Sequence, residues 1–154
     1  MIEPPRITHT KAQPSAVIRL AVPMSEMPTV VHPAITEVLS VVKAQGIGPA
    51  SAWYILVHSR DATQLEFEVG VPVTDPVKPT GRVKAGALPA ARVARTVHHG
   101  AYEGMLAAWA EFDAWIAQNG HKPGKPMWDV YLVGPETSAD MSQWRTQMNR
   151  QLLG

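Results

Sequence analysis

The sequence contains no cysteine, which excludes disulfides, thiolate metal sites and a cysteine nucleophile. It also lacks any apolar run near the roughly 20 residues that a bilayer-spanning helix needs. The N-terminal stretch MIEPPRITHTKAQPSAV carries charges and prolines instead of the continuous apolar core of an export signal. We therefore expect a cytoplasmic protein with no membrane association.

An excess of one charge sign is missing as well. Fourteen Lys and Arg residues stand against 13 Asp and Glu residues, for a net charge of +1, and no predicted helix gathers basic residues on one face. Direct binding to nucleic acid is therefore not expected. The six histidines do not follow the spacing of a metal-ligand set, and the neighbours His98 and His99 should point to opposite faces of a strand. We expect no metal and no cofactor.

Two amphipathic helices are the clearest elements that the sequence does contain. They are predicted at about His32 to Gln45 and about Ala101 to Asn119, and glycines 46 and 120 end them. One strand-like segment precedes each helix and two follow it, so the order strand, helix, strand, strand occurs twice. Aligning the two glycines with a one-residue shift superposes Trp53 on Trp128, and Tyr54 then falls opposite Asp129. We interpret this as an internal duplication, with chance similarity of short apolar strands as the alternative.

The order of elements predicts an α+β fold, with a mainly antiparallel sheet, in a single domain that spans residues 1–154. Module one covers about residues 16–73 and module two about residues 83–153. A segment rich in Pro and Gly, at about residues 74–82, reads as the linker between them.

The segment KPMWDVYLVGP, residues 125–135, carries the strongest candidate for a functional site. Strand alternation places three of its side chains on one face: Met127, Asp129 and Tyr131. The opposite face, with Trp128, Val130 and Leu132, is interpreted as the core face. An acid between a methionine and a tyrosine is typical of a semi-apolar cavity. The alternative is that Asp129 only accepts a hydrogen bond and helps to close the sheet.

A carboxylate among apolar and aromatic groups is costly to ionise, so it favours either its proton or a cationic ligand. Tyr54, Tyr131 and Trp109 are candidates to supply ring faces to a planar cation. This chemistry predicts a site for hydrophobic, cationic aromatic small molecules.

Three further residues are candidates with open alternatives. Glu68 is either a second pocket acid or part of a solvated strand face. Tyr102 either reaches into a ligand cleft from the start of the second helix or belongs to the core. Met24 either forms a flexible rim or fills a loop.

The segments FEVGVPV, LPAARVARTVHHGAYEGM, AEFDAWIAQNGHKPGKPMWDVYLVGP and WRTQM together resemble the GyrI-like small-molecule-binding family. This family includes effector-binding domains of multidrug-responsive and AraC-type transcription regulators, and stand-alone proteins similar to the gyrase-inhibitory protein. The resemblance covers about Ile18 to Leu153. It implies two strand-helix-strand-strand modules related by a pseudo-twofold axis, with a ligand cleft between them.

The resemblance also implies roles for two residues. The family's acidic pocket residue, usually a Glu two positions before a Tyr, falls on Asp129, and the Tyr falls on Tyr131. In regulators of the family this acid meets cationic aromatic ligands, and in some stand-alone relatives it is implicated in hydrolysis of cyclopropane-bearing toxins. Here the acid is one methylene shorter.

Two functions follow as expectations. The first is a stand-alone protein that binds hydrophobic, cationic aromatic ligands, for sequestration or effector sensing, with a protein target such as DNA gyrase implied by the resemblance. The alternative is a hydrolase of strained or activated xenobiotics, in which Asp129 is the acid or base and Tyr54 or Tyr131 polarises the substrate. Before Ala16 there is no room for a helix-turn-helix, so we expect any regulator to be a separate protein.

Overall fold

The structure is a computed structural model, and it describes residues 2–61, 63–135 and 137–153. Eight strands and two α-helices lie in this part of the chain. In chain order they are β1 (Arg6–His9), β2 (Gln13–Val22), α1 (Met27–Gln45), β3 (Tyr54–Arg60), β4 (Leu65–Pro72), β5 (Lys84–Leu88), β6 (Arg92–His99), α2 (Met105–Gln118), β7 (Lys122–Val133) and β8 (Arg145–Leu153).

The chain divides into two compact units. The continuous unit is Lys11–Ala90, and its strand order is β3-β4-β2-β5. The discontinuous unit combines Met1–Thr10 with Ala91–Gly154, and its strand order is β7-β8-β6-β1. Each unit thus contains one strand-helix-strand-strand sequence in the same spatial order, with one extra strand beside the first strand of that sequence. Every strand pair given for the two units is antiparallel, so the α+β prediction is confirmed.

Both helices end as predicted, at a glycine in the left-handed region. Gly46 has φ 69° and Gly120 has φ 75°, a conformation in which a side chain would be strained. In each case the N–H groups of the glycine and of the next residue donate to carbonyls of the last turn, which is the Schellman arrangement.

The start of the first helix was predicted too late. Helix α1 begins at Met27, with Pro28 in its first turn, so that Pro33 lies inside the helix. Pro28 occupies the position where a missing N–H costs nothing, because the first N–H groups of a helix have no partner within it. The second helix follows a short 3₁₀ turn, Tyr102–Gly104, that the sequence prediction had included in it.

Counting from the two glycines relates the units residue by residue. Tyr54 lies eight residues after Gly46, and Trp128 lies eight residues after Gly120. The strand register agrees independently with this count. In the continuous unit Val57 pairs with Phe67, which pairs with Leu20. In the discontinuous unit Tyr131 pairs with Thr146, which pairs with His98. Leu20 and His98 each lie four residues before the 3₁₀ turn that precedes the helix of their unit. Trp128 therefore corresponds to Tyr54 and not to Trp53, and the one-residue shift that set Tyr54 opposite Asp129 was wrong.

The core of each unit lies between its helix and its strands. In the discontinuous unit the core cluster joins Ala108, Phe112 and Ile116 of α2 to Ala94, Met148 and Leu152 of the strands. In the continuous unit α1 contacts β2 and β4, and its buried residues are Ala34, Ile35, Val38 and Val42. Apolar residues three and four apart on each helix produce these buried stripes. Neither helix within the described residues is both long enough and apolar enough to cross a membrane.

Candidate functional site

The side of the discontinuous unit that α2 covers carries two rows of side chains across β6, β8 and β7. One row is His98, Thr146 and Tyr131, which are direct cross-strand neighbours. The next row is Thr96, Met148 and Asp129. Cross-strand neighbours point to the same face of a sheet. Because Met148 belongs to the core cluster against α2, Asp129 and Tyr131 face the helix.

This orientation corrects the sequence prediction. Trp128, Val130 and Leu132 were interpreted as the core face. Trp128 is indeed buried, at 2% exposure, but Leu132 is 44% exposed, and Asp129 on the other face lies beside the core cluster under α2. Alternation separates the two faces of a strand, but the helix position decides which of them is covered. The acid is therefore located at the edge of an apolar core.

Asp129 is held in place from α2. The indole Nε1–H of Trp109 donates a hydrogen bond to Oδ1 of Asp129 at 3.1 Å. Among the described residues no Lys, Arg or His forms an ion pair with this carboxyl group. The residue as a whole is half-buried. Asp129 is thus an acid with one neutral donor and no counterion.

Three more rings stand beside this acid. Tyr131 follows Asp129 by two residues on the same face, and its ring meets Tyr102 edge to face at a centroid distance of 5.5 Å. The ring of Tyr102 in turn packs against the indole of Trp144, with a centroid distance of 4.9 Å. All three rings are half-buried. Asp129, Tyr131, Tyr102, Trp109 and Trp144 are called the Asp129 cluster below.

The local sequence explains how Tyr102 reaches the cluster. Gly100 adopts φ 113°, which allows the chain to leave β6 sharply, and its N–H donates to the carbonyl of Trp144 at 3.0 Å. Gly104 lies directly against His98, since a Cβ at this position would be 3.1 Å from Cε1 of the imidazole. The two glycines of HGAYEG hold the tyrosine over the end of the strand.

The surroundings shift the acidity of both polar groups. Burial raises the pKa of Asp129 to about 7, against an opposing effect of the Trp109 hydrogen bond. Burial also raises the pKa of Tyr131 well above its ordinary value, with further contributions from Asp129 and Tyr102. Tyr131 therefore keeps its proton at neutral pH, while Asp129 divides between its acid and its carboxylate form.

Two buried polar groups next to the cluster, Thr146 and His98, were not predicted as ligand-binding residues from the sequence. Thr146 is fully buried, and its Oγ1 has no hydrogen-bond partner among the described residues. His98 is 3% exposed; its Nε2 donates to the carbonyl of Ala101 at 3.1 Å, and its Nδ1 has no partner in the described part of the chain. Buried polar groups normally have partners, so these two atoms are exceptions within the described part of the chain. His98 and His99 do point to opposite faces, as predicted, since His99 contacts Glu3.

The structure thus brings together four of the predicted residues: Asp129, Tyr131, Trp109 and Tyr102. Met127 lies on the same face as Asp129, where its sulfur accepts a hydrogen bond from Nη1 of Arg150 at 3.7 Å. Trp144 was missed. It immediately precedes β8, the strand that pairs with β7, and this proximity cannot be read before the strand order is known.

The other three candidates belong to the continuous unit. Tyr54 is fully buried, with its hydroxyl close to Gly70, and burial raises its pKa to about 12. Glu68 is mostly buried and is hydrogen-bonded to Nε2 of His58, in place of the solvated position weighed from the sequence. Met24 is 47% exposed in the turn before α1.

No group of three or more His, Asp or Glu side chains suited to a metal occurs among the described residues. The Asp129 cluster offers one carboxyl group, two phenols and two indoles. These rings can pack against apolar or aromatic groups, and the carboxyl group can hold one proton or face one positive charge.

Residues 3–148 match the model of the GyrI-like small molecule binding domain, and the chain belongs to this family. The sequence resemblance is therefore confirmed. Among curated proteins none has a sequence that matches this chain.

Solved structures share the fold at low sequence identity. The C-terminal domain of EcmrR is 19% identical, with a TM-score of 0.84 and coverage of 97% of both chains. EcmrR in a complex with DNA is 20% identical with a TM-score of 0.82, and this chain spans 57% of that longer chain. SAV2435 bound to tetraphenylphosphonium is 11% identical with a TM-score of 0.74, over 99% of this chain and 95% of SAV2435.

Proposed function

We propose that the protein binds hydrophobic, cationic aromatic molecules at the Asp129 cluster, with the carboxylate of Asp129 as the counterion. The observation that carries this proposal is the half-buried Asp129, which has one neutral donor at 3.1 Å and no counterion among the described residues. An ionised carboxylate in such surroundings is stabilised by a ligand cation.

The rings of the cluster suit the same ligand. Tyr131, Tyr102, Trp109 and Trp144 are half-buried, so each offers ring surface to a bound molecule. Cation-π contacts contribute about 0.5 to 2 kcal/mol each, depending on desolvation. The related fold of SAV2435, bound to the aromatic cation tetraphenylphosphonium, supports this ligand class. Effector sensing or sequestration is the role that such binding serves, and a protein target such as DNA gyrase remains a prediction.

The test compares two ligands of similar shape. Tetraphenylphosphonium and neutral triphenylphosphine oxide are titrated calorimetrically at pH 8 into the wild type and Asp129→Asn. Asparagine retains an oxygen for the indole of Trp109 and removes only the charge. We expect the variant to lose about 1 to 3 kcal/mol of affinity for the cation, a factor of roughly 5 to 150, and little for the neutral ligand.

Asp113→Asn is the matched control. Asp113 is an exposed acid on α2, and its carboxylate pairs with Arg150 at 3.4 Å. The control removes one negative charge from the same unit outside the cluster, and its affinity for the cation should change little. Equal losses for the cation and the neutral ligand in Asp129→Asn would show that the mutation disturbs packing instead of removing a counterion.

A hydrolase is the second candidate, because a carboxyl group with a pKa of about 7 can both donate and accept a proton near neutral pH. A protein described as a hydrolase, encoded by lin2189 from Listeria innocua, shares the fold with 11% identity and a TM-score of 0.65. The structural match includes 97% of this chain and 91% of that protein. The hydrolase hypothesis requires turnover of a strained-ring, ester or lactone substrate by wild type and none by Asp129→Asn. Hydrolysis at the buffer rate by both proteins would eliminate it and leave the binding hypothesis intact.

A further inference from the structure

The discontinuous unit contains a cavity of about 230 Å³, and none of its lining residues belongs to the Asp129 cluster. Its walls are residues of the N-terminal segment, of β6 and of β8: Glu3, Pro4, Arg6, Arg95, Thr96, Val97 and Gln147. Both Arg residues of this wall carry charge at every accessible pH.

The N-terminal sequence explains why a cavity opens here. Ile2 pairs with His98, and Arg6 pairs with Arg95. Between these two pairings the N-terminal segment has three residues, 3–5, whereas β6 has two, Thr96 and Val97. Two of the three are Pro4 and Pro5, which have no N–H to donate to a neighbouring strand. Glu3 still hydrogen-bonds β6, since its N–H donates to the carbonyl of Val97 at 2.9 Å, so the extra residue of the bulge is accommodated at Pro4 and Pro5.

Arg95 is fixed at the wall of this cavity by a short hydrogen-bond chain. Its Nε–H donates to Oδ1 of Asn149 at 2.7 Å. Asn149 is fully buried, and its amide donates to Oε1 of Gln147 at 3.2 Å and to the carbonyl of Trp128 at 3.4 Å. The anchoring uses Nε, and within the described residues the two terminal nitrogens of the guanidinium form no hydrogen bond or ion pair.

No acid neutralises this pair of cations in the described residues. Neither Arg6 nor Arg95 takes part in an ion pair there, although they are direct cross-strand neighbours and like charges in such positions repel. Burial lowers the pKa of Arg95, and the charge of Arg6 lowers it further. The carboxylate of Glu3, also in the wall, instead contacts Nε2 of His99 at 2.7 Å.

We propose that this cavity is a binding site for a small oxyanion, a carboxylate or a phosphate group, held by the terminal nitrogens of Arg95 with Arg6 and the amide of Gln147 beside it. A planar guanidinium presents parallel N–H donors that match two oxygens of such an anion. The anion supplies the negative charge that the paired arginines lack.

The test titrates sodium acetate and inorganic phosphate, in separate arms, into the ¹⁵N-labelled full-length chain at constant ionic strength. We expect saturable shifts of the Arg95 Nε–H and of the Val97 and Gln147 amides in at least one arm. The stronger arm distinguishes a planar carboxylate from a tetrahedral phosphate. Shifts that stay linear up to about 100 mM, as for weak screening by salt, would overturn the proposal.

Two variants make the test specific. Arg95→Gln should weaken the saturable binding at least tenfold, with its fold checked by the unshifted amides of the Asp129 cluster. Arg92→Gln removes the same charge from the same strand outside the cavity wall, and it should bind like wild type. Equal weakening in both variants would contradict a defined site.

Glu3→Gln tests the remaining source of negative charge. The Glu3 carboxylate is half-exposed and contacts His99, so this variant should bind the anion with an affinity within about threefold of wild type. Saturable binding that occurs only in Glu3→Gln would identify Glu3 as the counterion of Arg95 and overturn the proposal of an external anion.

Discussion

The same positions of the two units contain different chemistry. In the discontinuous unit two rows on the α2 side contain polar groups: His98, Thr146 and Tyr131 in one, Thr96, Met148 and Asp129 in the next. The corresponding rows of the continuous unit are apolar throughout: Leu20, Phe67 and Val57, then Ile18, Val69 and Ile55. Tyr102, in the turn before the helix, corresponds to Met24.

The difference separates scaffold from site. Strand order, helix ends and register are shared, so none of them requires the polar residues. Ile55 is 4% exposed and Val69 fully buried, which is the ordinary way to fill the space under a helix. The discontinuous unit places an acid there and surrounds it with rings, an arrangement that costs stability and is typical of functional sites.

The largest effect on stability should come from placing an aspartate in the continuous unit at the position that corresponds to Asp129. Ile55→Asp at pH 8 places a carboxylate in a buried position, and we expect a loss of about 3 to 5 kcal/mol in the free energy of unfolding. Urea denaturation measures this loss. Ile55→Val is the control for lost side-chain volume, and it should cost about 1 kcal/mol. A loss below 1 kcal/mol for Ile55→Asp would mean that both positions tolerate charge and that the contrast between the units is wrong.

The converse change should stabilise the protein. The pKa of Asp129 is about 7 in the folded chain and 3.8 as its ordinary value, so folding favours the protonated acid. Its contribution to stability is complete below about pH 4 and is lost as the pH rises through 7. Asp129→Asn should therefore raise the free energy of unfolding by about 2 to 4 kcal/mol at pH 8 and change it little at pH 4. Denaturation at both pH values measures this, and a gain that does not depend on pH would exclude ionisation as its cause.

The affinity for a cation should follow the same titration with the opposite sign. With a pKa of about 7, Asp129 is ionised to about one tenth at pH 6 and about nine tenths at pH 8. We expect tetraphenylphosphonium to bind about tenfold more tightly at pH 8 than at pH 6, which corresponds to about 1.4 kcal/mol. Titration calorimetry over this range provides the measurement. The profile should be flat in Asp129→Asn, and a slope that persists there would assign the pH dependence to another group.

The smallest effect concerns a single ring. Tyr102→Met introduces the residue that the continuous unit has at the matching position, and it should weaken cation binding by about 0.5 to 1.5 kcal/mol through loss of ring contacts. Met24→Leu is the control in the other unit and should leave the dissociation constant unchanged. Equal effects of the two changes would mean that the Asp129 cluster is not the only surface on which the ligand depends.

The sequence allowed the scaffold to be predicted because its signals are local. The glycines at 46 and 120 and the apolar stripes of both helices need only neighbouring residues to be read. Asp129, Tyr131 and Trp109 were also found locally, as an acid and a phenol on one strand face and an indole on the preceding helix. Pro33 was misread because Pro28 supplies the first-turn proline of α1.

The wrong or missing sequence predictions concern which residues are neighbours across strands, and this depends on the strand register. Trp53 and Trp128 are the same residue type, and this identity suggested a shift that the equal spacing from the two glycines contradicts. Period-two alternation could not decide which face of β7 lies under α2, since that depends on Met148 of the neighbouring strand. Thr146 and Trp144 escaped for the same reason, because their relation to Tyr131 and Tyr102 exists only across strands or turns.

The extra strand of each unit, β1 or β5, is separated in the sequence from the strand with which it pairs. Strand β1 precedes the continuous unit in sequence but pairs with β6, and β5 directly precedes β6 but pairs with β2. During synthesis on the ribosome, every element of the continuous unit has therefore been made once the chain reaches Ala90. At that moment β1 is the only one of the discontinuous unit's described strands that exists, and its partner β6 has not yet been translated. A break of the chain between the two helices would separate β1 from its unit, so the protein cannot be divided into two intact halves by a single cut.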